Sequence, residues 1–192
     1  VQGRDHFVLE SQLGLSLGSE VWLARHRKTG EQRVYKFGVD GERLASLKRE
    51  ATLHRVLQQT LGERDDIARV IDWNFAAEPF WLECEYAGCN LLDWAMHDSR
   101  LAQLSVPGRI GLFLQIADAV AAAHKVGVLH KDLKPANVLV AQRDAGGDGG
   151  WQVRIADFGS ARLLEPGRLA ELGITQLGLT LTQSDPSSSS GT

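Results

Sequence analysis

Four side chains suited to phosphate and metal chemistry lie close together in this chain. The stretch His130-Lys131-Asp132-Leu133-Lys134-Pro135-Ala136-Asn137 carries three of them, and Asp157-Phe158-Gly159 follows with the fourth. Asp132 could take a proton from a hydroxyl, and Lys134 could hold a phosphate. Asn137 and Asp157 could share a divalent ion, since oxygen donors suit hard cations. Each residue also has an ordinary structural role: Asp132 and Asp157 as turn residues, Asn137 as a loop cap, Lys134 as a surface charge. Their joint occurrence in one pattern, H-x-D-L-x-x-x-N followed by D-F-G, is what points to chemistry.

Such a set needs elements to hold it in place. Residues 7 to 40 read as strands joined by turns: Val21, Leu23 and Arg25 alternate with Trp22 and Ala24, and Lys28 to Glu31 form a turn. Val34 to Phe37 form a further strand, with Lys36 on the face of Val34. Residues 41 to 61 read as a helix with Leu47, Glu50, His54 and Leu57 on one side. A glutamate on a largely apolar face needs a partner, and Lys36 is the natural one. The alternatives are an exposed Glu50 paired with Arg49 or His54, or Glu42 in the first turn, where an acid suits the helix dipole. Strands are expected over 68 to 75 and 80 to 86, with a turn at Glu78-Pro79 and packing roles for Trp73, Phe75, Phe80 and Trp81. A short helix begins at 91 to 98, with Asp93 as its expected cap. Pro107-Gly108 is read as a break before a helix over 109 to 126, whose expected buried stripe is Phe113, Ile116, Ala117, Val120 and His124. Gly127 ends it. Val138 to Val140 and Trp151 to Ala156 read as strands flanking a Gly- and Asp-rich surface loop.

These motifs resemble the catalytic and metal-binding loops of the protein kinase family. The resemblance implies an α+β, two-lobed fold: an antiparallel-sheet N-lobe with one helix over 1–86, then a hinge and the first part of a mainly helical C-lobe over 87–161. It implies ATP and Mg2+ as cofactors. By this resemblance Asp132 is the catalytic base, Lys134 steadies the transferred phosphoryl group, and Asn137 and Asp157 hold the metal. Lys36, paired with Glu50, grips the α- and β-phosphates. Val21, Val34 and Leu139 enclose the adenine, and hinge backbone at Glu85 and Ala87 meets its edge, with Cys84 behind. Asp93 could instead reach the ribose.

The glycine-rich loop is matched in part. In Gly14-Leu15-Ser16-Leu17-Gly18-Ser19-Glu20-Val21 only Gly14 and Val21 are in register, and Ser16 and Ser19 replace two glycines. Serine lets backbone amides approach phosphate less freely, and a plain hairpin turn explains the stretch as well. Lys131 replaces the usual arginine before the catalytic Asp and loses its bidentate fork. The Leu-Lys-Pro-x-Asn context is similar to serine/threonine-specific members. Two other readings stay open: a non-catalytic kinase-fold binding module, and a small-molecule kinase.

From Arg162 to Thr192 the resemblance implies an activation segment. A short helix is expected between Leu163 and Gly178, within a tail expected to be mobile. Thr180, Thr182, Ser184 and Ser187 to Ser190 are candidate autophosphorylation sites in 175–192. The end at Gly191-Thr192 suggests a truncated domain, poorly stable or inactive alone, with apolar surface exposed on the 109–126 helix.

Composition bounds the rest. Hydrophobic residues make up 43% of the 192, enough for a real core. A net charge of -3 gives no general pull toward nucleic acid or anionic membrane. Cys84 and Cys89 read as reduced thiols of a cytoplasmic protein. Ile110 to Leu129 is interrupted by Gln115, Asp118, His124 and Lys125, so no membrane span is expected in this segment.

Overall fold

Residues 4–16, 19–143 and 150–174 are described by a computed structural model. Five strands build its first layer: β1 (Phe7–Ser16), β2 (Ser19–His26), β3 (Gln32–Gly38), β4 (Val70–Asn74) and β5 (Phe80–Glu85). They form one antiparallel sheet in the order β1-β2-β3-β5-β4. Helix α1 (Gly41–Leu61) crosses one face. Asp40 starts α1 by accepting the Arg43 N–H at 2.7 Å, and Gly62 ends it at φ 74°. Leu47 and Ala51 pack on Leu82 and Cys84 of β5. On the opposite sheet face, Tyr35 meets Trp81 edge-on, with Phe7 and Phe37 beside them.

The second part is built from shorter pieces: β6 (Cys89–Asn90), α2 (Leu91–Met96), α3 (Arg100–Gln103), α4 (Val106–Lys125), β7 (Val128–Leu129), β8 (Val138–Gln142), β9 (Trp151–Ile155), β10 (Arg162–Leu163) and α5 (Arg168–Glu171). β6-β8-β9 and β10-β7 are two small antiparallel sheets. The main core joins both parts: Leu53, Val56 and Leu57 of α1 meet Ile155, Phe158 and residues of α4 in one cluster. Gly88 lets β6 come close to β8. Its φ is +104°, and a Cβ there would stand 2.2 Å from the Val140 carbonyl oxygen.

Several expectations are corrected. Asn90, not Asp93, caps α2: its side chain accepts the Asp93 N–H at 2.9 Å, and the Asp93 carboxylate accepts from Asn90 Nδ2 at 2.6 Å. Pro107 does not break the chain before α4. It lies in the first turn behind the cap Ser105, where a missing N–H costs nothing. The stripe on α4 is rotated: Leu112, Ala119 and Ala123 are buried, while Phe113 is 66% exposed and His124 is exposed. Ala119 and Ala123 share the inner face with Leu112 and with the partly buried Ile116, the expected stripe residue that does pack against the core. Val106, Ile110 and Leu114 are exposed beside Phe113. By length and composition alone α4 is long and apolar enough to cross a membrane, which the expectation from Ile110 to Leu129 had excluded.

Residues 162–174 are packed, against the expected mobile tail. Leu163 and Leu169 are buried, as is Ile174, and β10 pairs with β7. These spaced apolar residues outweigh the hydroxyl-rich composition that follows them. The candidate acceptors from Thr180 onward, with Gly18 and most of the 142–150 loop, lie outside the described residues.

Candidate functional site

Lys36 lies mid-strand on β3, opposite Val21 of β2 and Leu82 of β5. Its side chain crosses beneath the sheet to α1. Nζ donates to both Glu50 carboxylate oxygens, at 2.7 and 2.9 Å. The Glu50 side chain is 7% exposed. The alternatives for Glu50 are thereby excluded: Arg49 turns elsewhere, His54 binds backbone, and Glu42 is exposed in the first turn. Lys36 Nζ also lies 3.4 Å from Asp157 Oδ1. Burial opposes charge on Lys36, but the Asp157 and Glu50 carboxylates raise its pKa overall. Burial pushes the Glu50 carboxyl up while the Lys36 charge pulls it back, and the short N–O distances fit an ion pair. The Lys36 charge holds Asp157 below its ordinary value, against the effect of burial.

The second group sits between β7 and β8. His130 is buried, its ring 4.8 Å from that of Phe158. Its Nε2 lies 2.9 Å from the Ala156 carbonyl, and its Nδ1 accepts the Asp132 N–H at 3.4 Å. His130 thus ties the Asp132 loop to the Asp157 turn. Lys131 takes φ 69° and is exposed. The Asp132 carboxylate accepts from Lys134 Nζ at 2.7 Å and Asn137 Nδ2 at 3.2 Å. That hydrogen bond raises the Lys134 pKa. Asn137 Nδ2 also donates to the Asp132 carbonyl at 2.8 Å, so its Oδ1 is left for other partners.

Both groups border one cleft of about 470 Å³. Gly14, Val21, Val34, Lys36, Glu50, Glu85, Ala87, Lys134, Asn137, Leu139 and Asp157 all line it. Of the residues to which the resemblance gives catalytic, nucleotide-binding or metal roles, Asp132 alone does not line it, but it is bonded to Lys134 and Asn137, which do. Cys84 lies in the wall, and burial raises its thiol pKa. Asp93 lines the cleft too, despite its place in α2. Glu85 is fixed through its side chain, which accepts from the Arg69 backbone N–H at 3.0 Å, and its own N–H donates to the Arg69 carbonyl at 3.0 Å.

Sequence reasoning missed Ala68, Tyr86, Ala136 and Ala156 in the lining. Ala136 and Ala156 sit inside or beside the motifs, and their small size next to chemical residues was the available signal. It also gave no role to His130, and gave Arg49 only that of a possible partner for Glu50.

A profile of the protein kinase domain matches residues 7–177. The chain belongs to the protein kinase family. It is 35% identical over 171 residues to serine/threonine-protein kinase PkaA of Streptomyces coelicolor, covering 83% of this chain and 30% of that protein. Serine/threonine-protein kinase pkn2 of Myxococcus xanthus is 33% identical over 70% of this chain and 14% of its own length. CBL-interacting protein kinase 21 of Oryza sativa subsp. japonica is 32% identical over 79% and 28%. The chain therefore spans less than a third of each of these relatives. The five-stranded sheet with α1, followed by the shorter elements, is a partial two-lobed kinase fold.

Proposed function

We propose that this chain is the nucleotide-binding and catalytic part of a serine/threonine protein kinase, transferring the ATP γ-phosphoryl group to a protein hydroxyl. The observation that carries this is the meeting of two independent charge sets at one cleft: Lys36–Glu50–Asp157 and Asp132–Lys134–Asn137. Lys36, held by Glu50, grips the α- and β-phosphates. Val21, Val34 and Leu139 pack on the adenine, and backbone at Glu85 and Ala87 meets its edge. Asp132 takes or orients the proton of the attacking hydroxyl. Lys134 moves from Asp132 to the γ-phosphoryl oxygens as negative charge develops there.

The donor set fits Mg2+. Among the described residues no group of three or more His, Cys, Asp or Glu side chains gathers to hold a metal. Mg2+ is commonly held by one or two protein oxygens together with substrate phosphates and water. Asn137 Oδ1 and the ionised Asp157 would supply those oxygens. When bound, the ion neutralises phosphate charge. The context around Lys134 and the names of the relatives support serine or threonine as acceptor. Acceptors within 175–192 belong to the same proposal, as does a reducing, cytoplasmic setting in which Cys84 and Cys89 stay free thiols.

The test is transfer of labelled phosphate from ATP to a generic protein by the full chain, alongside a thermal-shift titration with ATP and Mg2+. Asp132→Asn is expected to lower transfer by at least about 100-fold while nucleotide binding persists. Wild-type protein that binds ATP without turnover would make this a non-catalytic module. Transfer to a small molecule but not to protein would move the reading to that class.

A further inference from the structure

Arg49 precedes Glu50 on α1 but leaves the helix in another direction. Its Nη1 donates to the Gly159 carbonyl at 2.8 Å, linking residues far apart in the chain. Gly159 is buried, and a Cβ there would lie 2.5 Å from Ser46 Oγ. Helix α1 therefore rests directly on the turn that presents Asp157. That turn has an awkward backbone: Asp157 takes φ 66°, in the left-handed region that side chains disfavour. Such a conformation persists only when its surroundings impose it. Lys36 and the Gly159 N–H hold the Asp157 carboxylate, each at 3.4 Å. Phe158 anchors the middle of the turn against His130. Arg49 holds the exit.

We propose that Arg49 is a positioning residue that keeps the 157–159 turn in its metal-binding shape. Glu50 orients Lys36 for the phosphates, and Arg49 sets Asp157 for the cation. Loss of Glu50 therefore weakens the hold on the phosphates directly, and loss of Arg49 acts through the cation alone. The metal half of this inference rests on the phosphotransfer reading; the hold on the turn does not.

Hydrogen exchange on the nucleotide-free full chain tests the hold directly. Arg49→Met keeps the apolar stem and removes the donor. It is expected to speed exchange at residues 157–161 by about tenfold, with β4 and β5 unchanged, and Arg49→Lys is expected to restore part of the protection. Unchanged exchange at the turn, or an equal rise through all segments, overturns the proposal. The second arm measures the Mg2+ concentration that half-saturates binding of a non-hydrolysable ATP analogue. Arg49→Met is expected to raise it by about tenfold while affinity in EDTA stays unchanged. An unmoved Mg2+ requirement overturns the coupling. Wild-type protein that binds no nucleotide overturns the phosphotransfer reading instead, and the exchange arm still decides whether Arg49 holds the turn.

Discussion

The two sides of the cleft hold their lysines in opposite ways. Lys36 is 14% exposed and gripped by a carboxylate that is itself buried. Lys134 is 52% exposed, and its partner Asp132 is 38% exposed. The distances are alike, 2.7 Å in each case, but the consequences differ. A buried pair cannot lose one member without stranding the other in a poor solvent. An exposed pair exchanges its contact for water at little cost. The first wall is thus a fixed fitting, built with the fold. The second is an exposed contact that exchanges readily, which the proposed movement of Lys134 onto a transferred phosphoryl group requires.

The largest break in this contrast comes from Glu50→Ala. It leaves the Lys36 ammonium with Asp157 alone, and a loss of about 3–5 kcal/mol in unfolding free energy is expected from urea denaturation. ATP affinity falls with it, because Lys36 is no longer aimed. A loss below about 1 kcal/mol would mean that the buried pair behaves like a surface one.

Acid acts next, on the buried side. His54 shares the inner face of α1, and its Nε2 accepts the Val70 N–H at 3.2 Å. Burial lowers its pKa from 6.5 to about 4, with Glu85 opposing the shift and Arg69 adding to it. The folded state keeps His54 neutral, while the unfolded chain takes up a proton below pH 6.5. This contribution is therefore whole above that pH and is lost as the pH falls toward 4, by about 3 kcal/mol in all. Denaturant melts of His54→Gln against wild type across this range should show a shallower acid slope in the variant. Parallel curves would remove His54 from the account.

The smallest effect belongs to the exposed wall. Lys134→Ala should cost less than about 1 kcal/mol of stability and disappear into the error at high salt, yet transfer activity should fall sharply. A large stability loss would show that this pair is structural after all, and the distinction between the walls would dissolve.

Much of this was legible in the residues. The bounds of α1, read as 41 to 61 from apolar spacing, are those the structure has, where Asp40 caps the start and Gly62 ends it. The Lys36–Glu50 pair followed from an acid on an apolar face. Other features were not, for definable reasons. On α4 the apolar residues outnumber the buried places, so hydrophobicity alone put Phe113 inwards when alanines lie there. Asn90 and Asp93 are both good capping residues, and only backbone geometry distinguishes the cap from the third helical position. Residues 162–174 carry Leu163, Leu164, Leu169, Leu172 and Ile174, but they were read together with the hydroxyl-rich stretch that follows, and their packing depends on partners such as β7.

The chain alone determined which chemical groups are available and in what order: one proton acceptor, two lysines, one amide and two more carboxylates, set in motifs long enough to name a family. What it left undecided was which of these face each other across empty space. Local spacing governs neighbours on one helix or strand, so it reached as far as the loops. The meeting of Lys36 with Asp157, of Arg49 with Gly159 and of His130 with Ala156 joins segments far apart in sequence. Those contacts exist because burying α1 against the sheet and the 157–159 turn together leaves one compatible arrangement, and only packing in three dimensions selects it.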